Sequence, residues 1–182
     1  HTVPLAFDEG LVPGFARLAD AVHAEGAALV GQLWHAGRQA LWHPMQLPWS
    51  ASSERDPYSG STPHAMSSNE IDELVVAFGR SALNLRSAGF EGVELHGAHG
   101  YLLTQFLSPW SNRRTDEYGG SNANRARLVA RLVAEIRDVC GPDFLVGLKI
   151  SADEGVPGGI DIAMAQQLVE HLVAASAPDY VA

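Results

Sequence analysis

Apolar residues recur along the chain with the spacing of helices in four segments, and a short apolar run follows each segment within a few residues. The predicted helices run from Pro13 to Ala24, from Ser67 to Gly89, from Asn122 to Val139 and from Asp161 towards Pro178. The predicted strands are ALVGQLW (28–34), GVELH (92–96), FLVGLKI (144–150) and DYVA (179–182). This alternation predicts a parallel sheet whose strands are joined by helical crossovers.

Local signals mark where the predicted helices begin and end. Ser67 and Glu70 have the spacing of a capping box, and Asp161 stands where an N-cap is expected. Gly89 and Gly141 directly follow helical periodicity, where a left-handed residue commonly ends a helix.

The loops of this pattern are short on one side and long on the other. Helix-to-strand connections have a few residues, whereas the strand-to-helix loops 35–66 and 97–121 are long and rich in His, Trp, Ser, Pro and Gly. This asymmetry favours a (β/α)8 TIM barrel, whose site is built at the carboxyl ends of the strands. A doubly wound sheet is the alternative, but no glycine-rich phosphate-binding turn follows any predicted strand.

The pattern contains four helix–strand units, and a barrel needs eight. The sequence starts at His1 and stops within a predicted strand. We therefore expect residues 1–182 to be a partial TIM-barrel domain, truncated at both ends, that covers about the middle half of the barrel.

Composition narrows the function classes. The 182 residues are 46% hydrophobic and 18% charged, and the formal net charge is −9. With no basic stripe to neutralise phosphates, a nucleic-acid partner is disfavoured. No apolar run approaches the length of a membrane span, and no signal peptide is visible. Cys140 is the single cysteine, which excludes an internal disulfide or an all-cysteine metal site. We expect a cytoplasmic protein.

Polar residues in the predicted strands are the first candidates for chemistry. Gln32, His96 and Lys149 all lie near strand ends. A charge within a strand is costly unless it is paired, so Lys149 requires a partner. Glu94 on the neighbouring strand is one candidate and an electron-rich ligand is another. A structural ion pair inside the barrel remains the alternative to a binding role.

His96 and His99 lie three residues apart directly after a predicted strand. They do not have the helical HExxH spacing of a zinc site, although a metal role and a satisfied core role both remain open. A third hypothesis is that both imidazoles form hydrogen bonds to one substrate oxygen and stabilise the charge that develops on it. Tyr101, a phenol two residues further on, is then a candidate proton donor.

Three stretches carry a resemblance to a known family: LVGQLWHAGRQA, GFEGVELHGAHGYLLTQFLSPWSNRRTDEYGGS followed by NRARL, and VGLKIS. They resemble the Old Yellow Enzyme family of FMN-dependent NADH:flavin oxidoreductases and 2,4-dienoyl-CoA reductase relatives. The segment SADEGVPGGI resembles most the multidomain bacterial branch, which carries an iron–sulfur cluster beyond the barrel. Such a cluster would lie outside this chain.

The resemblance implies a barrel that holds FMN at the carboxyl ends of its strands. Gln32 would contact the pyrimidine edge of the flavin, and Lys149 would place a cation beside the reduced ring. His96 and His99 would grip the substrate carbonyl oxygen, with His96 also beside the flavin. Tyr101 would donate a proton, although some multidomain relatives place this acid elsewhere.

The resemblance implies an ene-reductase activity. NAD(P)H would reduce FMN, and hydride would pass to the β-carbon of an α,β-unsaturated carbonyl compound, a small enone-type substrate that Trp34 would contact as a pocket wall. No metal is expected in this reading, and a homo-oligomer is compatible with it. The alternatives are a metal-dependent TIM-barrel hydrolase and a non-catalytic fragment that cannot hold the cofactor alone.

The remaining motifs predict scaffold. Arg113 and Arg114 precede two carboxylates in SNRRTDEYGGS, a pattern that favours a structural lock of the loop. His35 and Arg38 of HAGRQ either line the pocket, order the loop or contact another subunit. The proline-rich loop 43–64 is long enough to contact a substrate or a second subunit.

Overall fold

The computed structural model describes residues 3–40 and 47–182. Its helices are α1 (Val12–Ala24), α2 (Ser68–Ser87), α3 (Leu102–Leu107), α4 (Asn122–Cys140) and α5 (Ile162–Ser176). Its strands are β1 (Val30–Leu33), β2 (Trp49–Ser50), β3 (His64–Ala65), β4 (Gly92–Gly97), β5 (Leu145–Ile150) and β6 (Tyr180–Val181). Single 3₁₀ turns lie at Glu9–Leu11 and Gly37–Gln39.

Four strands form one parallel sheet in the order β1-β4-β5-β6, so neighbours in the sheet follow one another along the chain. A helical crossover connects each strand to the next: α2, α4 and α5. The four predicted strands and the four predicted helices are confirmed, and their ends differ by a few residues from the predicted ones.

The helix-facing side of the sheet forms the core. Val93, Leu95, Val146 and Leu148 alternate along β4 and β5 and are fully buried. They pack in a cluster with apolar residues of the helices, while α2 packs on α4 and α4 on α5. Alternate strand residues point to opposite faces, so the intervening positions face the other side of the sheet.

The predicted helix ends are also confirmed. Ser67 and Glu70 form a capping box at the start of α2, and the Asp161 carboxylate accepts the backbone N–H of Met164 at the start of α5. Gly141 follows α4 with a φ of 78°. This left-handed backbone conformation favours glycine, which explains why α4 ends before Gly141.

Two features of the loops were not predicted. The short helix α3 follows the histidine segment, and β2 pairs with β3 in parallel within the proline-rich loop. Neither is long enough to show a period in the sequence. Part of the 43–64 loop, residues 43–46, lies outside the described residues, and its proposed contact role stays a prediction. In the described ranges no helix combines the length and apolarity that crossing a bilayer requires.

Candidate active site

The register of the sheet brings the predicted strand residues to one face. Gln32 lies opposite Glu94, and His96 lies opposite Lys149 one pleat nearer the carboxyl ends. Side chains at paired positions of a parallel ladder point to the same face. Gln32, His96 and Lys149 therefore share the face that is turned away from the helices, as the sequence predicts.

His96 and His99 form a contact pair at the end of β4. His96 Nε2 and His99 Nδ1 are 3.1 Å apart, and the ring centroids are 4.9 Å apart. The His99 backbone N–H donates to Ser151 Oγ at the end of β5. Two nitrogens at this separation can both reach one ligand oxygen that lies about 3 Å from each.

The environment of His96 favours its neutral form. The residue is buried, and this burial lowers the imidazole pKa, with His99 and Lys149 adding in the same direction and Glu94 opposing them. A neutral imidazole carries one N–H, so it can donate a hydrogen bond without releasing or adding a proton. His96 is therefore suited to polarise a carbonyl at neutral pH.

Aromatic rings connect this pair to Tyr101 and Trp34. The Tyr101 ring centroid lies 5.3 Å from that of His96 and 4.8 Å from that of Trp34. Tyr101 occupies the N-cap position of α3, in the connection that follows β4. The structure thus places four candidate residues, Trp34, His96, His99 and Tyr101, in one contiguous group.

Glu94 binds a different residue from the one considered for it. Its carboxylate accepts a 2.6 Å hydrogen bond from Gln32 Nε2, and it also bonds Tyr180, whose phenol pKa is raised by burial and then by Glu94. Lys149 makes no ion pair or side-chain hydrogen bond with residues 3–40 or 47–182. The proposed Glu94–Lys149 pair is therefore wrong, and the ligand alternative for Lys149 stays open.

Unsatisfied polar groups on this face fit an electron-rich planar cofactor. His96 Nδ1 is buried without a hydrogen-bond partner in the described chain. Lys149 is half-buried and forms no ion pair there. Buried polar groups normally have partners, so the unpaired His96 nitrogen indicates a ligand position, and the Lys149 charge lies on the same face. An imidazole, an ammonium and the Gln32 amide together match the heteroatom edge of a flavin, and the residues present therefore fit FMN.

A cavity of about 670 Å³ lies beside β1. Its walls include Gln32, Trp34, His35 and Trp49, together with the segment 3–7 and part of α2. The histidine pair is not among its lining residues. The structure therefore places Trp34 in a pocket wall, with one side against Tyr101 and the other at this cavity.

Among the described residues there is no group of three or more His, Cys, Asp and Glu side chains arranged to hold a metal ion. The hydrolase alternative needs such a set around His96 and His99. The polar side chains next to the histidine pair are instead the Tyr101 phenol and the Lys149 ammonium, and these two groups do not complete the coordination of a metal ion.

Two of the loop arginines that the sequence singled out, Arg38 and Arg114, make structural contacts. Arg38 is buried, forms an ion pair with Asp56 at 3.1 Å and lies over the Trp110 ring. Arg114 donates to Asp116 and to the carbonyls of Ala51 and Met66. The loop-lock interpretation is confirmed for Arg114, and the contacts of Arg38 in the described chain are those of a residue that orders the loop.

His35 lines the cavity and is held in its neutral form. Burial lowers its pKa to about 4. Its Nδ1 accepts the backbone N–H of Gly37, and its ring stacks on Trp49. A protonated Nδ1 cannot accept this hydrogen bond, so the loop geometry and the charge state of His35 depend on each other.

Sequence reasoning missed three residues that hold the histidine segment: Gln39, Gln105 and Ser151. Their side chains bond the backbone of His99 or Gly100. The available signal was Gln105, a polar residue within the apolar run LLTQFL. A buried amide needs partners, but the sequence does not say which ones.

Comparisons with known proteins identify the family and the fold of the chain. Residues 1–180 match the family model described as NADH:flavin oxidoreductase / NADH oxidase family. An NADH oxidase of Thermoanaerobacter brockii is 39% identical over 91% of this chain and 26% of the relative. An NADPH dehydrogenase of Halalkalibacterium halodurans is 42% identical over 84% of this chain and 44% of the relative. The chain thus spans less than half the length of these relatives.

A solved structure is also similar. It is a 2-naphthoyl-CoA reductase in complex with 2-naphthoyl-CoA, which superposes with a TM-score of 0.89 at 30% identity. The match covers 96% of this chain and 28% of that one. Together with the family match, it confirms the predicted TIM-barrel fold class.

Proposed function

The chain belongs to the NADH:flavin oxidoreductase / NADH oxidase family, and from this premise we propose that it is the substrate-polarising part of an FMN-dependent ene-reductase. The enzyme would reduce the activated C=C bond of an α,β-unsaturated carbonyl compound at the expense of NAD(P)H. The observation that carries the proposal is the pair of imidazole nitrogens 3.1 Å apart at the end of β4.

The histidine pair binds the carbonyl oxygen. In the absence of a ligand one ring donates its N–H to the facing nitrogen of the other. For both rings to donate to an arriving oxygen, the accepting ring must carry its proton on the facing nitrogen, so oxygen binding includes a change of tautomer in that ring. Both bonds strengthen as negative charge develops on the oxygen, so they lower the barrier more than they tighten ground-state binding. Since the low pKa of His96 keeps it neutral, it stabilises this charge by hydrogen bonding.

Tyr101 supplies the proton for the α-carbon. Its phenol lies in the same ring group as His96, and Trp34 packs against its other side. This packing restricts the ring, and a restricted donor delivers its proton with less loss of entropy.

Gln32, His96 and Lys149 would hold FMN on the inner face of the sheet. Bound FMN supplies the hydride that reduces the β-carbon. Lys149 places a positive charge on that face, which stabilises an anionic ring edge, and Gln32 is held in place by Glu94. The structurally similar 2-naphthoyl-CoA reductase is named for a substrate whose carbonyl group is conjugated, and this supports a conjugated carbonyl substrate for the proposed enzyme.

The test replaces both histidines in the full-length, FMN-loaded protein. Compared at equal FMN content, because His96 is also placed beside the flavin, His96→Ala/His99→Ala should still allow flavin reduction by NAD(P)H and should slow flavin reoxidation by 2-cyclohexenone by about 100-fold or more, since two charge-stabilising donors are lost. Rapid-mixing absorbance at the flavin band measures both half-reactions. The matched control is His171→Ala, at an exposed position of α5. Enone reoxidation at the control's rate in the double variant would refute the role.

Several attributes remain proposals beside this function. They are a cytoplasmic location, a homo-oligomeric state and an iron–sulfur cluster outside this chain. The expectation that residues 1–182 form one partial TIM-barrel domain also stays a prediction.

A further inference from the structure

The turn that carries His99 has an unfavourable backbone. His99 has a φ of 60° and Gly100 has a φ of 73°. A non-glycine residue in the left-handed region costs about 1–2 kcal/mol, and it persists only where the surroundings impose it. The direction of the His99 imidazole follows from this backbone, so the groups that hold the turn also set the geometry of the pair.

Gln105 is the most buried of these groups. It lies in α3 with 1% of its surface exposed. Its Nε2 donates to the Gly100 carbonyl at 2.7 Å, and its Oε1 accepts the Arg38 backbone N–H at 3.2 Å. Both ends of the amide are therefore used, and they connect the His99 turn with the loop that follows β1.

The other hydrogen bonds of the turn are longer, and their side chains, Gln39 and Ser151, are half-buried. Gln39 Nε2 lies 3.1 Å from the Gly100 carbonyl and 3.4 Å from the His99 carbonyl. The neighbouring Gly37, with a φ of 60°, leaves room for the Gln105 amide, because a Cβ at that position would collide with it. The local backbone is thus shaped around the Gln105 side chain.

We propose that Gln105 is a positioning residue: its amide holds the His99–Gly100 turn in the left-handed conformation and thereby places the His99 imidazole beside His96. The catalytic meaning of this role rests on the proposed function. Loss of the amide leaves the Gly100 carbonyl with only the longer Gln39 hydrogen bond, which lets His99 relax towards ordinary backbone angles. The ring then moves away from His96, and the two nitrogens no longer converge on one oxygen.

The test uses Gln105→Met, which keeps the length and the apolar stem but removes both hydrogen bonds. The matched control is Thr104→Val, the adjacent residue of α3, which is fully buried and whose hydroxyl has no partner in the described chain. The first readout is ¹⁵N NMR of the imidazoles in the full-length protein, which reports the His96–His99 hydrogen bond without any turnover. We expect its signature to disappear in Gln105→Met and to remain in Thr104→Val.

The second readout separates kcat from KM with 2-cyclohexenone. Gln105→Met should lower kcat by about 10- to 100-fold, because misplacement by about 1 Å has effects of this size, while flavin reduction by NAD(P)H stays at the control's rate. Gln39→Leu, which removes the second donor at a less buried position, should act in the same direction more weakly, and it remains informative if Gln105→Met does not fold.

An unchanged imidazole hydrogen bond in Gln105→Met, or in Gln39→Leu where only that variant folds, would overturn the positioning role. Failure of the proposed function looks different. In that case the unmodified protein does not reduce the enone, and the NMR comparison alone still decides whether Gln105 places His99.

Discussion

The two faces of the central sheet are made of alternate residues of the same strands, and they differ in polarity and in how completely their groups are paired. On the helix-facing side, Val93, Leu95, Val146 and Leu148 are apolar and have no exposed surface. On the other side, Gln32, Glu94, His96 and Lys149 are polar or charged. The apolar side is complete within the described chain, whereas the polar side keeps unsatisfied groups.

The difference separates the source of stability from the source of chemistry. Burial of apolar surface contributes about 25 cal/mol per Å², so the helix-facing side stabilises the fold. Polar groups that are removed from water without partners cost free energy. His96 Nδ1 is such a group, and its cost is tolerated because the other side supplies the stability. Substitutions on the two faces should therefore change stability with opposite sign.

The largest effect is expected on the helix-facing side. Leu95→Ala removes a fully buried side chain from the centre of the core. We expect a loss of about 2–5 kcal/mol in the free energy of unfolding, because a cavity remains where the side chain was. Urea unfolding followed by circular dichroism measures it. The control is Val76→Ala on α2, where 55% of the side chain is exposed. A Leu95→Ala loss no greater than the control's would contradict the division between the faces.

This division was largely predictable from the sequence. Apolar residues at alternate positions of GVELH and FLVGLKI indicate which side is buried, and the polar residues between them indicate the functional side. Helix starts such as Ser67 and Asp161 were predictable too, since capping depends on residues three positions apart.

Partners across the sheet were not predictable. Residue parity assigns Gln32, Glu94 and Lys149 to one face, but it does not give the register. In the structure Glu94 lies opposite Gln32 and Gly147, and Lys149 lies one pleat further on, opposite His96. Glu94 therefore bonds Gln32 and not Lys149. Register depends on contacts between distant parts of the chain, which a single sequence does not show.

The loops at the strand ends were the least predictable part. Arg38 and Asp56 are 18 positions apart and form a buried ion pair. Gln105 and Gly100 bond across the start of a helix that has only six residues. Such contacts have no period, so hydrophobic patterning carries no information about them.

A second prediction concerns pH and uses His35, at the end of β1. His35 has a pKa of about 4 because it is buried, against an ordinary value of 6.5. Below pH 6.5 the unfolded chain binds a proton that the folded chain does not bind. Stability from this group is thus complete above pH 6.5 and is lost as pH falls towards 4, by about 3 kcal/mol at most.

The measurement is the free energy of unfolding against pH, in the unmodified protein and in His35→Gln. Glutamine can still accept the Gly37 N–H but does not titrate in this range, so the decline between pH 6.5 and 4 should become shallower. His171→Gln at an exposed position should keep the original slope. An identical slope in all three proteins would show that His35 is not held neutral in the fold.

The smallest effect is expected on the polar side and has the opposite sign from Leu95→Ala. Lys149 is the only lysine of the chain, is half-buried and has no ion-pair partner within residues 3–40 and 47–182. Lys149→Met should raise the free energy of unfolding of the FMN-free protein by up to about 1 kcal/mol, because an unpaired charge is replaced by an apolar side chain of similar length.

Lys149→Met should also bind FMN more weakly and lower the reduction potential of the bound flavin, whereas Lys149→Arg, which keeps the charge, should preserve both the affinity and the potential. Urea unfolding, flavin fluorescence titration and a redox titration give the three values. A clear loss of stability in Lys149→Met would mean that the lysine contributes to the fold itself, and the contrast between the two faces would then not hold at this position.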